Sequence, residues 1–123
     1  MSVLSMEAVT RQFGEVHALR GVSVEVGAGQ LLAVMGPSGS GKSTLLNLAG
    51  GLDRPTSGTI RVAGTELTAA ADLAALRRDS VGYVFQDLNL IPSLTAAENV
   101  MLPRELSGVR AGRAREEALS ALA

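Results

Sequence analysis

The chain has 123 residues, of which 46% are hydrophobic and 19% are charged. This composition is typical of one globular domain, and it excludes a disordered segment. Eleven Lys and Arg residues against twelve Asp and Glu residues leave a net charge of -1. No basic excess is available to hold a polyanion, so we expect no nucleic-acid partner. The absence of cysteine excludes disulfides, zinc–thiolate sites and thiol nucleophiles.

The longest wholly apolar run is Leu31–Met35, which is far shorter than the roughly 18 residues that a membrane-spanning helix needs. The first nine residues contain Glu7 and no basic residue, so they do not resemble a signal peptide. We therefore expect any role at a membrane to depend on a partner.

In chain order, the first predicted elements are strands. The segments Val3–Phe13 and Ala18–Val26 mix apolar and polar residues, and the second alternates as a half-buried strand does. Leu31–Met35 is apolar throughout, which indicates a strand buried on both faces, as in a parallel sheet covered by helices.

Helices and short strands alternate over the rest of the chain. Lys42–Ala49 has leucines at core spacing and is followed by two glycines, which predicts a helix. Thr59–Ala63 reads as a short strand, Ala69–Arg78 as a helix and Val81–Phe85 as a second buried strand. A last helix is expected near Arg113. Apolar strands that alternate with helices favour an α/β fold.

A glycine-rich run lies between the apolar segment and the first helix. It matches the phosphate-loop pattern G-x-x-x-x-G-K-[ST]. Glycines let the backbone approach phosphate oxygens, and successive N–H groups at a helix N-terminus form an anion site. The lysine adds a point charge, and the serine hydroxyl is placed to bind Mg²⁺. The residues predicted to bind nucleotide phosphates are Gly36, Pro37, Ser38, Gly39, Ser40, Gly41, Lys42, Ser43 and Thr44.

A phosphate loop does not by itself name the reaction. The same local string occurs in transport-type ATPases and in guanylate-type nucleotide kinases. A kinase of that type would open with the phosphate loop on its first strand, whereas two predicted strands come first in this chain. The order therefore favours the ATPase, and the kinase stays the less favoured alternative.

Several further segments extend the match beyond the phosphate loop, and with them the chain resembles an ATP-binding cassette (ABC) transporter ATPase, in its lipoprotein-releasing and macrolide-exporter branch. The resemblance implies a P-loop NTPase fold of the ABC type with an N-terminal antiparallel β subdomain. It also implies ATP and Mg²⁺ as cofactors. The segments that carry it are Phe13-Gly14, Ala18–Ser23, Gly51–Gly58, Leu76–Arg78, Val81–Gln86, Asn89–Pro92 and Leu94–Val100.

The resemblance also assigns roles to residues outside the loop. Gln86 matches the Q-loop glutamine, which ligates Mg²⁺ and senses the γ-phosphate. Phe13 matches the aromatic residue that stacks on adenine, although tyrosine is more usual there. The segment from Asp87 to Pro92 resembles the surface that receives a transmembrane permease subunit. The other implied partner is a second ATP-binding domain in a head-to-tail dimer, at the inner, cytoplasmic face of the plasma membrane.

The family's later motifs are not found within residues 1–123. These are the signature, the acidic Walker B strand and the switch histidine, and Ser107-Gly108 does not replace the signature. We therefore expect the chain to be the N-terminal part of a single ATP-binding domain and to hold no catalytic residue. A nucleotide-binding fragment without turnover is accordingly the second functional hypothesis, beside a transport ATPase that exports or releases a lipophilic substrate.

Other polar residues are interpreted as structural. Thr95 and Glu98 have the spacing of a helix capping box. His17 is expected at the surface, and Arg77 and Arg78 at a solvated helix end. The charges of Arg113–Glu117 are expected on the outer face of the last helix.

Overall fold

The computed structural model describes residues 2–68, 71–87 and 89–123, in two compact units that divide after Val81. The elements of the first unit are β1 (Ser2–Phe13), β2 (Val16–Gly27), α1 (Lys42–Ala49), β3 (Ser57–Val62), β4 (Thr65–Glu66) and α2 (Leu73–Asp79). Those of the second unit are α3 (Ala96–Leu106) and α4 (Ala111–Leu122).

The first unit contains a four-stranded antiparallel sheet in the order β2-β1-β3-β4. A tight turn joins β1 to β2, pairing Phe13 with Val16 at one end and Ser2 with Gly27 at the other. β3 returns along the opposite edge of β1, with Met6 paired to Ile60. The predicted N-terminal strands and the antiparallel β subdomain are confirmed.

One face of this sheet packs against the two helices of the unit. Val9, Leu48 and Ile60 are fully buried and come from β1, α1 and β3. Burial of side chains of this size contributes roughly 1.5–3 kcal/mol each, so these contacts hold α1 against the sheet. The other buried residues of this core are Met6, Leu19, Val62, Leu67, Leu73 and Leu76.

The second unit is built on a pair of helices. The predicted capping box is present, because the Thr95 hydroxyl accepts from Glu98 N at 3.1 Å and the Glu98 carboxylate accepts from Thr95 N at 3.0 Å. Ala114 and Ala118 are buried on α4, which leaves room for close helix packing. Arg104 of α3 donates to Glu117 of α4 at 2.7 Å, so Glu117 bridges the two helices.

The two buried parallel strands predicted from the sequence are not formed. Leu31–Met35 and Val81–Phe85 have no regular secondary structure, and Leu31 and Val84 are 98% and 97% exposed. A parallel strand needs hydrogen-bonding neighbours and covering helices. The antiparallel sheet of the described residues offers neither segment such a neighbour, so apolar composition alone did not produce a strand.

The helix predicted over Ala69–Arg78 begins later, at Leu73. The Asp72 side chain accepts from Ala75 N at 3.0 Å and caps the helix there; Ala69 and Ala70 lie outside the described residues. The expected solvation of Arg77 is also wrong. Its guanidinium is half-buried and donates to Gly51 O at 2.7 Å, tying α2 to the end of α1.

Candidate functional site

The glycine-rich run forms an exposed loop that leads into α1. Ser40 N donates to Pro37 O at 3.2 Å, which closes a turn within the loop. A Cβ placed on Gly36 would lie 2.8 Å from the Ser40 hydroxyl. The two ends of this turn therefore lie close together in front of the helix, and phosphate binding by the loop stays a prediction.

Gly41 joins this loop to the sheet. Its φ is +96°, in the left-handed region that favours glycine. A Cβ at this position would lie 2.6 Å from the Ala18 carbonyl of β2. The backbone at Gly41 therefore approaches β2 this closely, and takes this φ at the start of α1, because the residue carries no side chain.

The Lys42 side chain folds back over the loop. Its ammonium donates to the Gly36 carbonyl and, at 3.1 Å, to the Pro37 carbonyl. An ammonium has three N–H donors. Two of them close the loop, and the third has no partner in the described part of the chain. A positive charge with one remaining donor, held over this loop, suits a phosphate oxygen.

The N-terminus of α1 carries no competing acceptor within the described residues. Gly41 provides no side-chain cap, and the first turn holds no acidic residue. The first N–H groups of a helix lack intrahelical partners and lie at the positive end of its dipole. Ser43 is exposed in this turn, and Thr44 is half-buried beside it. The Ser43 hydroxyl is a hard oxygen donor of the kind that Mg²⁺ prefers, so the residue type and exposure fit the ion.

Phe13 lies at the end of β1 and is 47% exposed. The Arg11 guanidinium carbon lies 4.1 Å from the centre of its ring. The ring therefore has a cation on one face. Stacking of Phe13 on a base stays a prediction.

Gln86 belongs to the second unit, where it lies exposed in a bend next to Asp87. Tyr83 and Phe85 stack beside it, with ring centres 4.6 Å apart. An open depression of about 390 Å³ adjoins these side chains. The amide oxygen of Gln86 is of a type that Mg²⁺ accepts as a ligand. The role of Gln86 as a Mg²⁺ ligand stays a prediction. The depression is lined by Tyr83, Val84, Phe85, Gln86, Asp87 and Asn89.

The predicted permease-facing segment, Asp87 to Pro92, is exposed wherever the structure describes it; Leu88 lies outside the described residues. Leu90 and Ile91 are 59% and 41% exposed. The Asn99 side chain on α3 holds this segment by bonding to the Ile91 backbone. The segment therefore presents apolar side chains from an anchored backbone.

Comparison with known proteins identifies the family. The family model described as ABC transporter matches residues 19–123. The chain belongs to the ABC transporter family, as the resemblance predicted.

Among curated relatives, the lipoprotein-releasing system ATP-binding protein LolD of Bacteroides thetaiotaomicron is 39% identical over 123 residues, which cover 98% of this chain and 56% of the relative. The macrolide export ATP-binding/permease protein MacB of Marinobacter nauticus is 44% identical over 113 residues, covering 87% of this chain and 18% of that protein. The chain thus spans about half the length of the LolD relative.

Among solved structures, the ATP-binding cassette MJ0796, in a dimeric post-hydrolysis state bound to ADP and Pi, is 40% identical and superposes with a TM-score of 0.87. The match covers 97% of this chain and 55% of that one. This likeness confirms the predicted fold class, an ABC-type α/β P-loop NTPase with an N-terminal antiparallel β subdomain.

Among the helices that the structure describes, none combines the length and the hydropathy of a membrane span.

Sequence reasoning missed one residue in each unit: Arg11, which lies against the Phe13 ring, and Asn99, which binds the Ile91 backbone. Arg11 precedes Phe13 by two positions in a strand, and alternation places such residues on one side. That spacing was the available signal. Asn99 follows the capping-box glutamate directly, and no sequence pattern indicated which backbone it would bind.

Proposed function

We propose that this chain is the nucleotide-binding part of an ABC transporter ATP-binding subunit. The whole subunit would couple ATP binding and hydrolysis to the export or release of a lipophilic substrate through a membrane partner, and this chain would supply its nucleotide-binding part. The observation that supports the proposal most directly is the Lys42 ammonium, which is held over the glycine-rich loop by the Gly36 and Pro37 carbonyls. The family membership and the transport functions of the relatives LolD and MacB support the transport assignment.

The binding residues divide by the part of Mg-ATP that they contact. The loop from Gly36 to Gly41, with Lys42, Ser43 and Thr44, holds the phosphates through backbone N–H groups, the ammonium and hydroxyls. Phe13 provides a stacking face for adenine. Ser43 supplies a hydroxyl ligand to Mg²⁺, which neutralises phosphate charge when bound. For Gln86, in the second unit, the role of Mg²⁺ ligand is proposed from the family resemblance alone.

The proposed partners are a transmembrane permease subunit and a second ATP-binding domain. Exposed Leu90 and Ile91 on the Asp87 to Pro92 segment suit a contact with an apolar surface of the permease. The dimeric state of the MJ0796 cassettes supports a head-to-tail pair of domains. The protein then works at the cytoplasmic face of the plasma membrane, attached through the permease.

The binding proposal is tested by mapping amide chemical shifts while Mg-ATP is added. We expect the largest changes at the amides from Gly39 to Thr44, because those N–H groups meet the phosphates. A parallel titration with guanosine monophosphate, the substrate of a guanylate-type kinase, is the control for that alternative. Saturable shifts elsewhere, or none at millimolar nucleotide in a folded sample, would contradict the phosphate site.

Phosphate release against time separates the transport ATPase from the second candidate, a nucleotide-binding module without turnover. Residues 1–123 contain no assigned catalytic carboxylate, and such groups can contribute several powers of ten to phosphoryl transfer. We therefore expect this chain to bind Mg-ATP and to release phosphate no faster than a nucleotide blank. Turnover at an ordinary enzyme rate would show that the catalytic groups lie within these residues.

A further inference from the structure

Arg11 makes contacts that the nucleotide-binding roles above leave unassigned. Its guanidinium carbon lies 4.1 Å from the centre of the Phe13 ring, and its Nε donates to Asp53 Oδ2 at 2.7 Å. We propose that Arg11 is a positioning residue for base recognition, which covers one face of Phe13 and directs a purine to the other face. This inference rests on the proposed function, in which Phe13 stacks on the base.

The Arg11 guanidinium is held in place by the Asp53 carboxylate and by a backbone carbonyl. The side chains of Arg11 and Asp53 are only 23% and 34% exposed, so the pair is more ordered than a fully solvated one. Asp53 is itself fixed, because its other oxygen accepts from Arg54 N at 2.8 Å. Arg11 also donates to the Gln12 carbonyl at 3.0 Å. A guanidinium with these partners cannot swing off the ring without losing charge-assisted hydrogen bonds.

The backbone around Phe13 is fixed to the same segment. Gln12 N donates to Thr56 Oγ1 at 2.9 Å, and Thr56 N donates to Thr10 O at 2.8 Å. The Thr10 and Ser57 hydroxyls are in hydrogen-bond contact at 2.5 Å. Residues 53–57 follow α1, whose first residue is Lys42. The strand that carries the ring is therefore hydrogen-bonded to the segment that follows the phosphate-loop helix in the sequence, within the first unit.

This arrangement has two consequences for a ligand. A cation centred over a ring occupies that face, so only the opposite face is left for stacking. The cation also draws on the electron density of the ring, which favours contact with an electron-rich purine on the free face. Because Asp53 balances the charge, Arg11 adds little net attraction for phosphates. The predicted effect is therefore specific to the base.

The test compares two probes, Mg-ATP and Mg-tripolyphosphate, by calorimetric titration of the protein. We expect Arg11→Ala to weaken ATP binding by about two- to fivefold, which is the size of one cation–π contact. The affinity for tripolyphosphate should stay within about 1.5-fold of the wild-type value. Arg61→Ala is the matched control, because Arg61 also pairs with a carboxylate on this sheet, at 3.7 Å, and both side chains are largely exposed.

A double-mutant cycle separates positioning from a general loss of structure. If Arg11 acts through the ring, adding Arg11→Ala to Phe13→Ala should cause no further change in the ratio of ATP to tripolyphosphate affinity. The inference is overturned if Phe13→Ala weakens ATP binding but Arg11→Ala leaves the ATP affinity unchanged. Equal weakening of both probes also overturns it. A wild-type protein that binds neither probe overturns the proposed function, and the inference with it.

Discussion

The Asn99 side chain forms two hydrogen bonds with the backbone of Ile91, accepting from its N–H at 2.8 Å and donating to its carbonyl at 3.2 Å. The same amide nitrogen donates to the Thr95 carbonyl at 2.9 Å. One side chain on α3 thus replaces the pairing that a neighbouring strand would give to Ile91. It also explains how an exposed segment without regular secondary structure holds a defined shape.

Replacement of this amide should loosen the segment. We expect Asn99→Ala to lower the free energy of unfolding by about 1–3 kcal/mol, because several backbone groups lose their partner. Amide exchange at Ile91 should accelerate by at least about tenfold. Ser120→Ala, at an exposed position of α4, is the control. Unchanged exchange at Ile91 would show that the turn holds itself without Asn99.

Removal of the Lys42 ammonium should abolish nucleotide binding. Lys42→Ala deletes both the positive charge at the phosphates and the bonds that close the loop onto Gly36 and Pro37. We expect the affinities for Mg-ATP and Mg-tripolyphosphate to fall together by at least about tenfold, measured by calorimetry. Arg61→Ala should bind as wild type does. An unchanged ATP affinity in Lys42→Ala would remove the phosphate loop from the functional proposal.

Truncation of Gln86 should weaken the magnesium dependence of ATP binding and leave the affinity for the metal-free nucleotide unchanged. If its amide oxygen is a Mg²⁺ ligand, Gln86→Ala should weaken the dependence of ATP binding on magnesium by several-fold. Affinity in the presence of a chelator should stay close to that of wild type. Titrations with and without the ion measure both quantities. Loss of equal size in the two conditions would indicate that Gln86 has a structural role.

The loop should be intolerant of a side chain at Gly41. Gly41→Ala places a Cβ 2.6 Å from the Ala18 carbonyl and forces a positive φ on an L-residue. We expect it to lower the free energy of unfolding by about 1–3 kcal/mol and to weaken nucleotide binding. Gly112→Ala is the matched control: Gly112 lies in α4, and nothing lies within 4 Å of its added Cβ. That change should stabilise the helix by up to about 1 kcal/mol. Equal unfolding midpoints for the two variants would refute this account of Gly41.

Acid should weaken the helical unit through Glu98 and Glu117. The pKa of Glu98 is lowered from 4.5, mainly because its carboxylate accepts from the Thr95 backbone N–H and also bonds to the Thr95 hydroxyl. The pKa of Glu117 is lowered mainly by its hydrogen bonds from Arg104. A carboxyl that is more acidic in the folded state contributes stability above its unfolded pKa. That contribution is lost as the pH falls below about 4.5 through the folded value.

The measurement is the urea midpoint as a function of pH. Glu98→Gln should show a smaller decrease on acidification below pH 4.5 than wild type does, because the titrating group is gone. Glu105→Gln, at an exposed glutamate of the same helix, is the control and should keep the full decrease. If Glu98→Gln loses stability with acid as steeply as wild type, the capping box is not the source of the effect.

Features encoded by neighbouring residues were predictable from the sequence. The phosphate loop, α1, the capping box of α3 and the β1–β2 pair depend on short spacings, in which glycine conformations, caps and alternation act within one element or turn. These local rules also carried the family resemblance, which the comparisons confirmed. Helix starts were less accurate, as the later start of α2 at Leu73 shows.

Contacts between distant segments were decided only by the tertiary structure. Leu31–Met35 has the composition of a buried strand, yet a strand forms only where a neighbouring backbone accepts its hydrogen bonds. The pairing of Arg11 with Asp53, and of Asn99 with Ile91, depends on which segments the fold brings together. The amino-acid sequence determined the chemistry of the proposed phosphate loop, because its pattern lies within six successive residues and the lysine that follows them. The folded chain determined which side chains hold the neighbouring surfaces in place, because those bonds join residues that no local pattern relates.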